Sequence, residues 1–193
     1  MTTLISLHGF DSCADRAPEE YRGGLLCRLA DNVISFNAPH AGSVPGRYQW
    51  FLNPVDENKN HNIMPELKQS AEYIVEKIRA ANIDDRDLIL FGNSQGGFVA
   101  MYLTLAGIIV PKKTIAVVPF YIRELIPEKI NQATPVLWLA AGKDNWMPPV
   151  VTETWADLKA AGANLDYHVD SHSGHKDWSP EFEQHMIDWN KNN

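Results

Sequence analysis

The chain has 193 residues, of which 45% are hydrophobic and 21% are charged. This composition is typical of a globular protein and excludes disordered, collagen-like and coiled-coil chains, and the length predicts one domain over residues 1–193. A net charge of −7 argues against nucleic acid or an anionic membrane as the main partner. The start of the chain lacks the basic region and long apolar run of a secretory signal. No window reaches the roughly 18 apolar residues of a membrane helix. With only two cysteines, we expect a soluble cytoplasmic protein without integral membrane association.

Short apolar segments alternate along the chain with longer segments of helical spacing. We predict strands at 3–7, 33–36, 87–92, 114–118, 136–141 and 165–169, and helices at 19–30, 65–81, 95–106, 148–161 and 182–190. The segment 136–141 is apolar throughout, which is typical of a strand that is covered on both faces. This alternation predicts an α/β fold with about six mostly parallel strands and helices on both faces of the sheet.

One long irregular segment, residues 38–64, interrupts the alternation. Loops of this length are usually functional or disordered. The apolar residues Trp50, Phe51 and Leu52 in its middle argue against disorder. We therefore predict a long loop or flap that lies near a functional site.

The strongest chemical signal is the sequence Gly92-Asn93-Ser94-Gln95-Gly96, between a predicted strand and a predicted helix. It resembles the nucleophile elbow of the α/β-hydrolase fold, in which a sharp turn lifts the serine hydroxyl above the sheet. Glycine at the flanking positions lets backbone segments pass where a β-carbon would clash. The helix start also supplies free N–H groups where negative charge develops.

A serine nucleophile needs a base, and in this fold the chain order is serine, acid, histidine. Four histidines follow the motif. His168 lies inside a predicted strand and His185 in the last predicted helix, which favours structural roles for both. His172 and His175 lie just after the carboxyl end of a strand, where sites on open α/β sheets form. We predict His175 as the base, because Gly174 permits a tight turn before it, and keep His172 as the alternative.

The acid that orients the imidazole should also follow a strand. Asp144 comes after the predicted strand 136–141 and a glycine, and before Pro148. An aspartate there is also suited to an Asx turn or a helix cap. Asp170, which precedes the histidine loop, is the alternative. We predict Asp144 as the acid.

An acyl-transfer site also needs two donors for the oxyanion. We expect one to be the backbone N–H of Gln95, the residue after the serine. The other should come from the loop after an early strand, where the sequence reads Leu7-His8-Gly9-Phe10. The Phe10 N–H is the candidate, because Gly9 lets this backbone approach a substrate.

Four motifs now stand in one order: HGFD at 8–11, GNSQGG at 92–97, GKDNWMPP at 142–149 and SGHKD at 173–177. Over about residues 4–180 the chain resembles the phospholipase/carboxylesterase family of α/β-hydrolases, which includes acyl-protein thioesterases. The resemblance implies a triad and two oxyanion donors: Ser94, Asp144, His175, Phe10 and Gln95. It also implies hydrolysis of carboxylic esters or thioesters, small-molecule substrates, and no metal or other cofactor.

Three bulky side chains are candidates for the wall of an acyl pocket: Trp50 in the long loop, and Trp146 and Met147 after the fifth strand. An equally open alternative is that they cover the rim of the core. Two alternatives to the function also remain. The first is an esterase for short, non-lipid esters, and the second is a non-catalytic binding module that keeps the hydrolase fold.

Overall fold

The computed structural model of the protein describes residues 1–16, 22–52, 63–146 and 152–193. Its centre is a sheet of six strands: β1 (Thr3–Leu7), β2 (Asn32–Phe36), β5 (Leu88–Asn93), β6 (Lys113–Val117), β7 (Val136–Ala141) and β8 (Leu165–Asp170). The strands are all paired in parallel, and their order in the sheet is β2-β1-β5-β6-β7-β8. The predicted α/β class and the six-stranded parallel sheet are confirmed, with strand ends within one residue of their predicted positions.

Four α-helices lie among the described residues: α1 (Met64–Ala80), α2 (Gln95–Leu105), α3 (Trp155–Ala160) and α4 (Pro180–Asn192). The first and last begin with a proline in the first turn, where its missing N–H costs no hydrogen bond. Ser179 caps α4 by accepting a hydrogen bond from the Phe182 N–H, at 3.0 Å. The first half of the helix predicted at 148–161 falls largely outside the described residues.

The helix predicted at 19–30 differs in the structure. Residues 17–21 lie outside the described part of the chain, and Arg22–Arg28 form a 3₁₀ helix instead of an α-helix. Gly24 in this segment has a φ of +72°, which an α-helix does not contain. The adjacent glycines therefore prevent an α-helix here, although the apolar residues Leu25, Leu26 and Leu29 are still buried in the core.

Successive side chains of the central strands enter two separate cores, one on each face of the sheet. On β1, Leu4 joins the core that includes α4, whereas Ile5 joins the core that includes α1 and α2. The parallel register continues this alternation on β5, where Leu4 is paired with Ile89 and Ile5 with Leu90. Helices therefore cover both faces, as predicted, and the inner strands β1, β5 and β6 are almost entirely buried, whereas the outer strands β2 and β8 have exposed side chains.

The segment predicted as the loop 38–64 contains more structure than expected. His40–Ala41 (β3) and Tyr48–Gln49 (β4) pair as a short antiparallel hairpin, and residues 53–62 lie outside the described residues. Two-residue strands carry too little pattern to be recognised in a sequence.

Among the described helices, none is long and apolar enough to cross a membrane.

Because the six strands of the central sheet are parallel, their carboxyl ends meet at one edge. Residues 8–11 follow β1 there, Ser94 follows β5, and residues 142–146 and 171–175 follow β7 and β8. Most of the predicted site residues that the structure describes lie in these segments. The exceptions are Gln95, which begins α2 directly after Ser94, and Trp50. Open α/β sheets form their sites at this edge.

Candidate active site

Ser94 occupies a strained turn between β5 and α2. Its φ of 52° and ψ of −114° are unusual for a residue with a side chain. Such a turn fits only because the flanking residues are glycines. A Cβ on Gly92 would lie 2.2 Å from the carbonyl oxygen of Gly96, and a Cβ on Gly96 would lie 2.1 Å from that of Leu7. The G-x-S-x-G pattern thus reflects two backbone contacts that leave no room for a methyl group.

Two backbone hydrogen bonds hold the turn, and neither of them involves the serine hydroxyl. The Ser94 N–H donates to the Val117 carbonyl at 2.9 Å, and the Ser94 carbonyl accepts from the Phe98 N–H at 3.0 Å. Ser94 is the N-cap residue of α2, yet its side chain makes no capping hydrogen bond. Its Oγ instead lies 3.1 Å from Nε2 of His175.

His175 connects Ser94 to Asp144. Its Nδ1 lies 2.6 Å from Oδ2 of Asp144, and the imidazole is 9% exposed. Since a carboxylate only accepts, Nδ1 carries the proton and Nε2 is left to accept from the serine hydroxyl. The other carboxylate oxygen of Asp144 accepts from the Trp146 N–H at 2.9 Å. Asp144 therefore forms the local Asx turn that its sequence suggests and contacts His175 as well.

The structure brings Ser94, His175 and Asp144 together and gives the two alternatives other positions. His172 has an exposed side chain, and its backbone N–H donates to Oδ1 of Asp170 at 2.8 Å. Asp170, at the end of β8, has a buried carboxylate. Ser173 Oγ donates to its Oδ2 at 2.7 Å, and Ser179 Oγ donates to the same oxygen.

Asp170 organises the loop that carries His175. Burial raises the pKa of this carboxyl group, but the hydrogen bonds from Ser179, the His172 N–H and Ser173 outweigh it and lower the pKa to about 2. Two backbone hydrogen bonds then join this loop to the one that carries Asp144. The Gly142 N–H donates to the Asp170 carbonyl at 2.7 Å, and the Lys143 N–H donates to the Ser173 carbonyl at 2.9 Å. This role of Asp170 was not predicted from the sequence, although Ser173, three residues after it, is placed for a local hydrogen bond to the aspartate.

The two predicted oxyanion donors belong to backbone segments that adjoin Ser94. A Cβ on Gly9 would lie 3.7 Å from Cβ of Ser94, so the backbone after β1 passes directly beside Ser94. Gln95 is the first residue of α2, where N–H groups have no partner within the helix. Within the described part of the chain, no acceptor is found for the N–H of Phe10 or Gln95. The Phe10 side chain is half exposed.

The side chain of Gln95 points away from this site and binds the long loop. Its Oε1 accepts from the Trp50 N–H at 2.8 Å, and its Nε2 donates to the Phe51 carbonyl at 3.0 Å. Trp50 is fully buried, and its indole N–H donates to the His8 carbonyl at 2.8 Å. An indole with no exposed surface offers none to a substrate, so we assign Trp50 to the attachment of this loop and not to a pocket wall.

Trp146 lies at the surface beside His175. Its indole is 62% exposed and stacks on the imidazole, with 4.9 Å between ring centroids and 2° between ring planes. An open pocket of about 480 Å³, within the range of small-molecule sites, is lined by His175, Trp146, Lys143 and Lys176 among others. Ser94 is not among the described residues that line it. Met147, also predicted to bind substrate, lies outside the described residues.

For the described ranges, no group of three or more His, Cys, Asp or Glu side chains has the arrangement needed to hold a metal ion.

Known proteins resemble the chain in sequence pattern and in structure. Residues 3–188 match the profile of the phospholipase/carboxylesterase family. No curated protein sequence matches significantly. Among solved structures, esterase PE8 has a TM-score of 0.76 at 22% identity, over 99% of this chain and 92% of its own. A carboxylesterase from Mesorhizobium loti has a TM-score of 0.78 at 19% identity, over 100% and 89%. Acyl-protein thioesterase 2 from Zea mays has a TM-score of 0.76 at 16% identity, over 99% and 93%.

Proposed function

Because the chain belongs to the phospholipase/carboxylesterase family, we propose that it is a serine hydrolase that cleaves carboxylic esters or thioesters through an acyl-enzyme on Ser94. The observation that carries this proposal is the continuous contact from Ser94 Oγ to His175 Nε2, at 3.1 Å, and from His175 Nδ1 to Asp144, at 2.6 Å. A weak nucleophile, a base within hydrogen-bond reach and a group that orients the base are the parts that acyl transfer needs.

In the first half-reaction, Ser94 Oγ attacks the acyl carbon while His175 Nε2 takes the hydroxyl proton. The resulting imidazolium is stabilised by the Asp144 carboxylate at Nδ1. The tetrahedral intermediate collapses as His175 gives this proton to the leaving oxygen or sulfur. The bond to the leaving group breaks, an alcohol or thiol departs, and the acyl group remains on Ser94 as an ester.

In the second half-reaction, a water molecule takes the place of the leaving group. His175 accepts one of its protons as the water oxygen attacks the acyl-enzyme carbon. The bond to Ser94 Oγ then breaks, His175 returns the proton to this oxygen, and a carboxylic acid is released.

Negative charge develops on the acyl oxygen in both half-reactions. We assign its stabilisation to the backbone N–H groups of Phe10 and Gln95. The start of α2 adds the positive end of the helix dipole, and a donor of this kind is typically worth about 3 kcal/mol in the transition state.

The proposal covers small esters and thioesters as a class. An esterase for short, non-lipid esters is the narrower candidate, and the open pocket of about 480 Å³ beside His175 has the volume of a small-molecule site. A non-catalytic module would have no need of the strained Ser94 backbone, which costs folding free energy and serves to expose a nucleophile.

The test is to compare the wild-type protein with the Ser94→Ala variant. The wild-type protein should hydrolyse p-nitrophenyl esters and become labelled by a fluorophosphonate probe. Ser94→Ala should lose both properties, with turnover at least about 10⁴-fold lower. Its melting temperature should stay close to that of the wild-type protein, because Oγ makes no capping bond. Activity above a tenth of the wild-type level in the purified variant would exclude the serine mechanism.

A series of acyl chain lengths, measured with matched oxygen and thioester substrates, then defines the substrate class. A steady rise of kcat/KM beyond butanoate would exclude the short-ester candidate. Absence of both fluorophosphonate labelling and turnover of every member of the series would leave only the binding module.

A further inference from the structure

Two separate loops carry the proposed oxyanion donors, one after β1 and one after β5. A donor is effective only if its N–H lies within about 0.5 Å of its productive position. The parallel pairing of β1 with β5 fixes the strand ends at Leu7 and Gly92, but Phe10 lies three residues beyond the last paired residue of β1. The loop that carries Phe10 therefore needs a further attachment if its N–H is to stay at a constant distance from the Gln95 N–H.

Trp50 makes contacts with both of these loops. Its backbone N–H donates to the side chain of Gln95 at 2.8 Å, on the nucleophile side. Its indole N–H donates to the carbonyl of His8 at 2.8 Å, two residues before Phe10. Its ring also packs against the His8 imidazole, with 5.2 Å between centroids. One fully buried residue thus bridges the strand end that leads to Phe10 and the residue that supplies the second donor.

Trp50 and the next residue are also attached to α1 and α2. Ser70 Oγ, on α1, donates to the Trp50 carbonyl at 2.5 Å. The next residue, Phe51, is fully buried, accepts from Gln95 Nε2 and packs edge-on against Phe98 of α2, with 5.5 Å between ring centroids. These contacts attach Trp50 and its neighbour to both α1 and α2, as a rigid spacer requires.

A second set of bonds attaches the loop after β1 to the same long segment. The Ala38 N–H donates to Nε2 of His8 at 3.0 Å. The Asp11 carboxylate accepts from the N–H and hydroxyl of Ser43, at 2.7 and 2.6 Å. Ser12 and Tyr48 exchange backbone hydrogen bonds. The segment 38–52 thus follows the loop that carries Phe10 along its length, and Trp50 is where it reaches Gln95.

We propose that Trp50 is a positioning residue that sets the separation of the two oxyanion donors by joining the His8 carbonyl to the Gln95 side chain. This inference rests on the proposed serine hydrolase function. It assigns Trp50 an effect on the transition state and not on substrate binding, because the indole is buried away from any substrate.

The test is Trp50→Phe, which keeps an aromatic ring and removes the indole N–H bond to His8. We expect kcat to fall about tenfold or more, which is less than the 10²- to 10³-fold loss on deleting a donor. KM should stay within about threefold, and the loss should be equal for acetate and octanoate esters. Inhibition by a boronic acid, whose adduct with serine is tetrahedral, should weaken by a factor similar to the loss in kcat/KM.

The matched control is Trp138→Phe. Trp138 is also fully buried and belongs to the same core, but it lies on β7 and packs against Tyr167. This control should lower the melting temperature and leave kcat within about twofold of the wild-type value. If Trp50→Phe does not fold, Gln95→Met is measured in the same way. It removes the two hydrogen bonds of the Gln95 side chain, to Trp50 and Phe51, and keeps the backbone N–H of residue 95.

Two outcomes would overturn the inference. If Trp50→Phe lowers the melting temperature as Trp138→Phe does and keeps kcat and boronic acid affinity, Trp50 only fills the core. If it impairs octanoate selectively through KM, the indole contacts the acyl chain. Failure of the proposed function is separate, because it appears in the wild-type protein as absence of turnover and of fluorophosphonate labelling.

Discussion

Asp170 allows a stability measurement that isolates one carboxylate. Its pKa in the folded protein is about 2, against an ordinary value of 3.8. Each pKa unit corresponds to about 1.4 kcal/mol, so the ionised carboxylate contributes about 2 kcal/mol to the free energy of unfolding at neutral pH. We predict that Asp170→Asn loses about this amount at pH 7, which for a chain of this size lowers the melting temperature by about 4–8 °C.

The pH dependence separates this contribution from a general packing defect. A carboxyl group whose pKa is lower in the folded state stabilises the protein above its unfolded pKa and loses this effect as pH falls through the folded pKa. The difference between wild type and Asp170→Asn should therefore be constant from pH 7 to about 5. It should shrink below about pH 4, to roughly half by pH 3, and vanish below about pH 2.

Urea unfolding at several pH values between 7 and 3 measures this difference. Asp177→Asn is the matched control, because Asp177 belongs to the same loop and has an exposed side chain. It should change the free energy of unfolding by less than about 0.5 kcal/mol. A difference between wild type and Asp170→Asn that is the same at pH 7 and pH 3 would refute the argument from charge. Because Asp170 holds the loop that carries His175, kcat should fall together with stability.

Three further predictions concern the elbow, the base and the pocket. Gly96→Ala should lower the free energy of unfolding by about 3 kcal/mol or prevent folding, because its Cβ would lie 2.1 Å from a backbone oxygen. Gly174→Ala should be tolerated, because its Cβ would meet no atom within 4 Å, and urea unfolding compares the two variants. His175→Ala should nearly abolish ester hydrolysis and His172→Ala should not, and the reverse kinetics would make His172 the base. Trp146→Ala should reduce kcat/KM for octanoate relative to acetate esters by about 1–3 kcal/mol, and an equal loss for both esters would exclude Trp146 from the pocket.

Features that depend on local constraints were predictable from the sequence. Strands such as β5 and β7 are mostly apolar and buried on both faces, so their positions follow from short apolar segments alone. The elbow follows from Gly92 and Gly96, whose contacts involve only the adjoining strand ends and the start of α2. The position of His175 after β8 follows from chain order and the parallel sheet.

Features that depend on distant contacts were not predictable. The apolar cluster in the long loop indicated that it rests on other parts of the protein, and burial of Trp50 and Phe51 agrees with this, while Leu52 is exposed. Nothing in the sequence pairs Trp50 with Gln95 or with His8, because hydrogen bonds to backbone atoms leave no trace in residue type. The role of Trp50 therefore required the three-dimensional structure.

The choice between Asp144 and Asp170 shows where sequence reasoning reaches its limit. Both aspartates stand at or after the ends of neighbouring parallel strands, so strand order and spacing allow either to reach the histidine. The difference lies in how many local donors each carboxylate meets. Asp170 accepts three hydrogen bonds from its own loop and from the cap of α4, and these occupy both oxygens. Asp144 accepts one local hydrogen bond, from the Trp146 N–H, and this leaves Oδ2 available to His175. The aspartate that contacts His175 is therefore the one whose own turn leaves a carboxylate oxygen without a local donor.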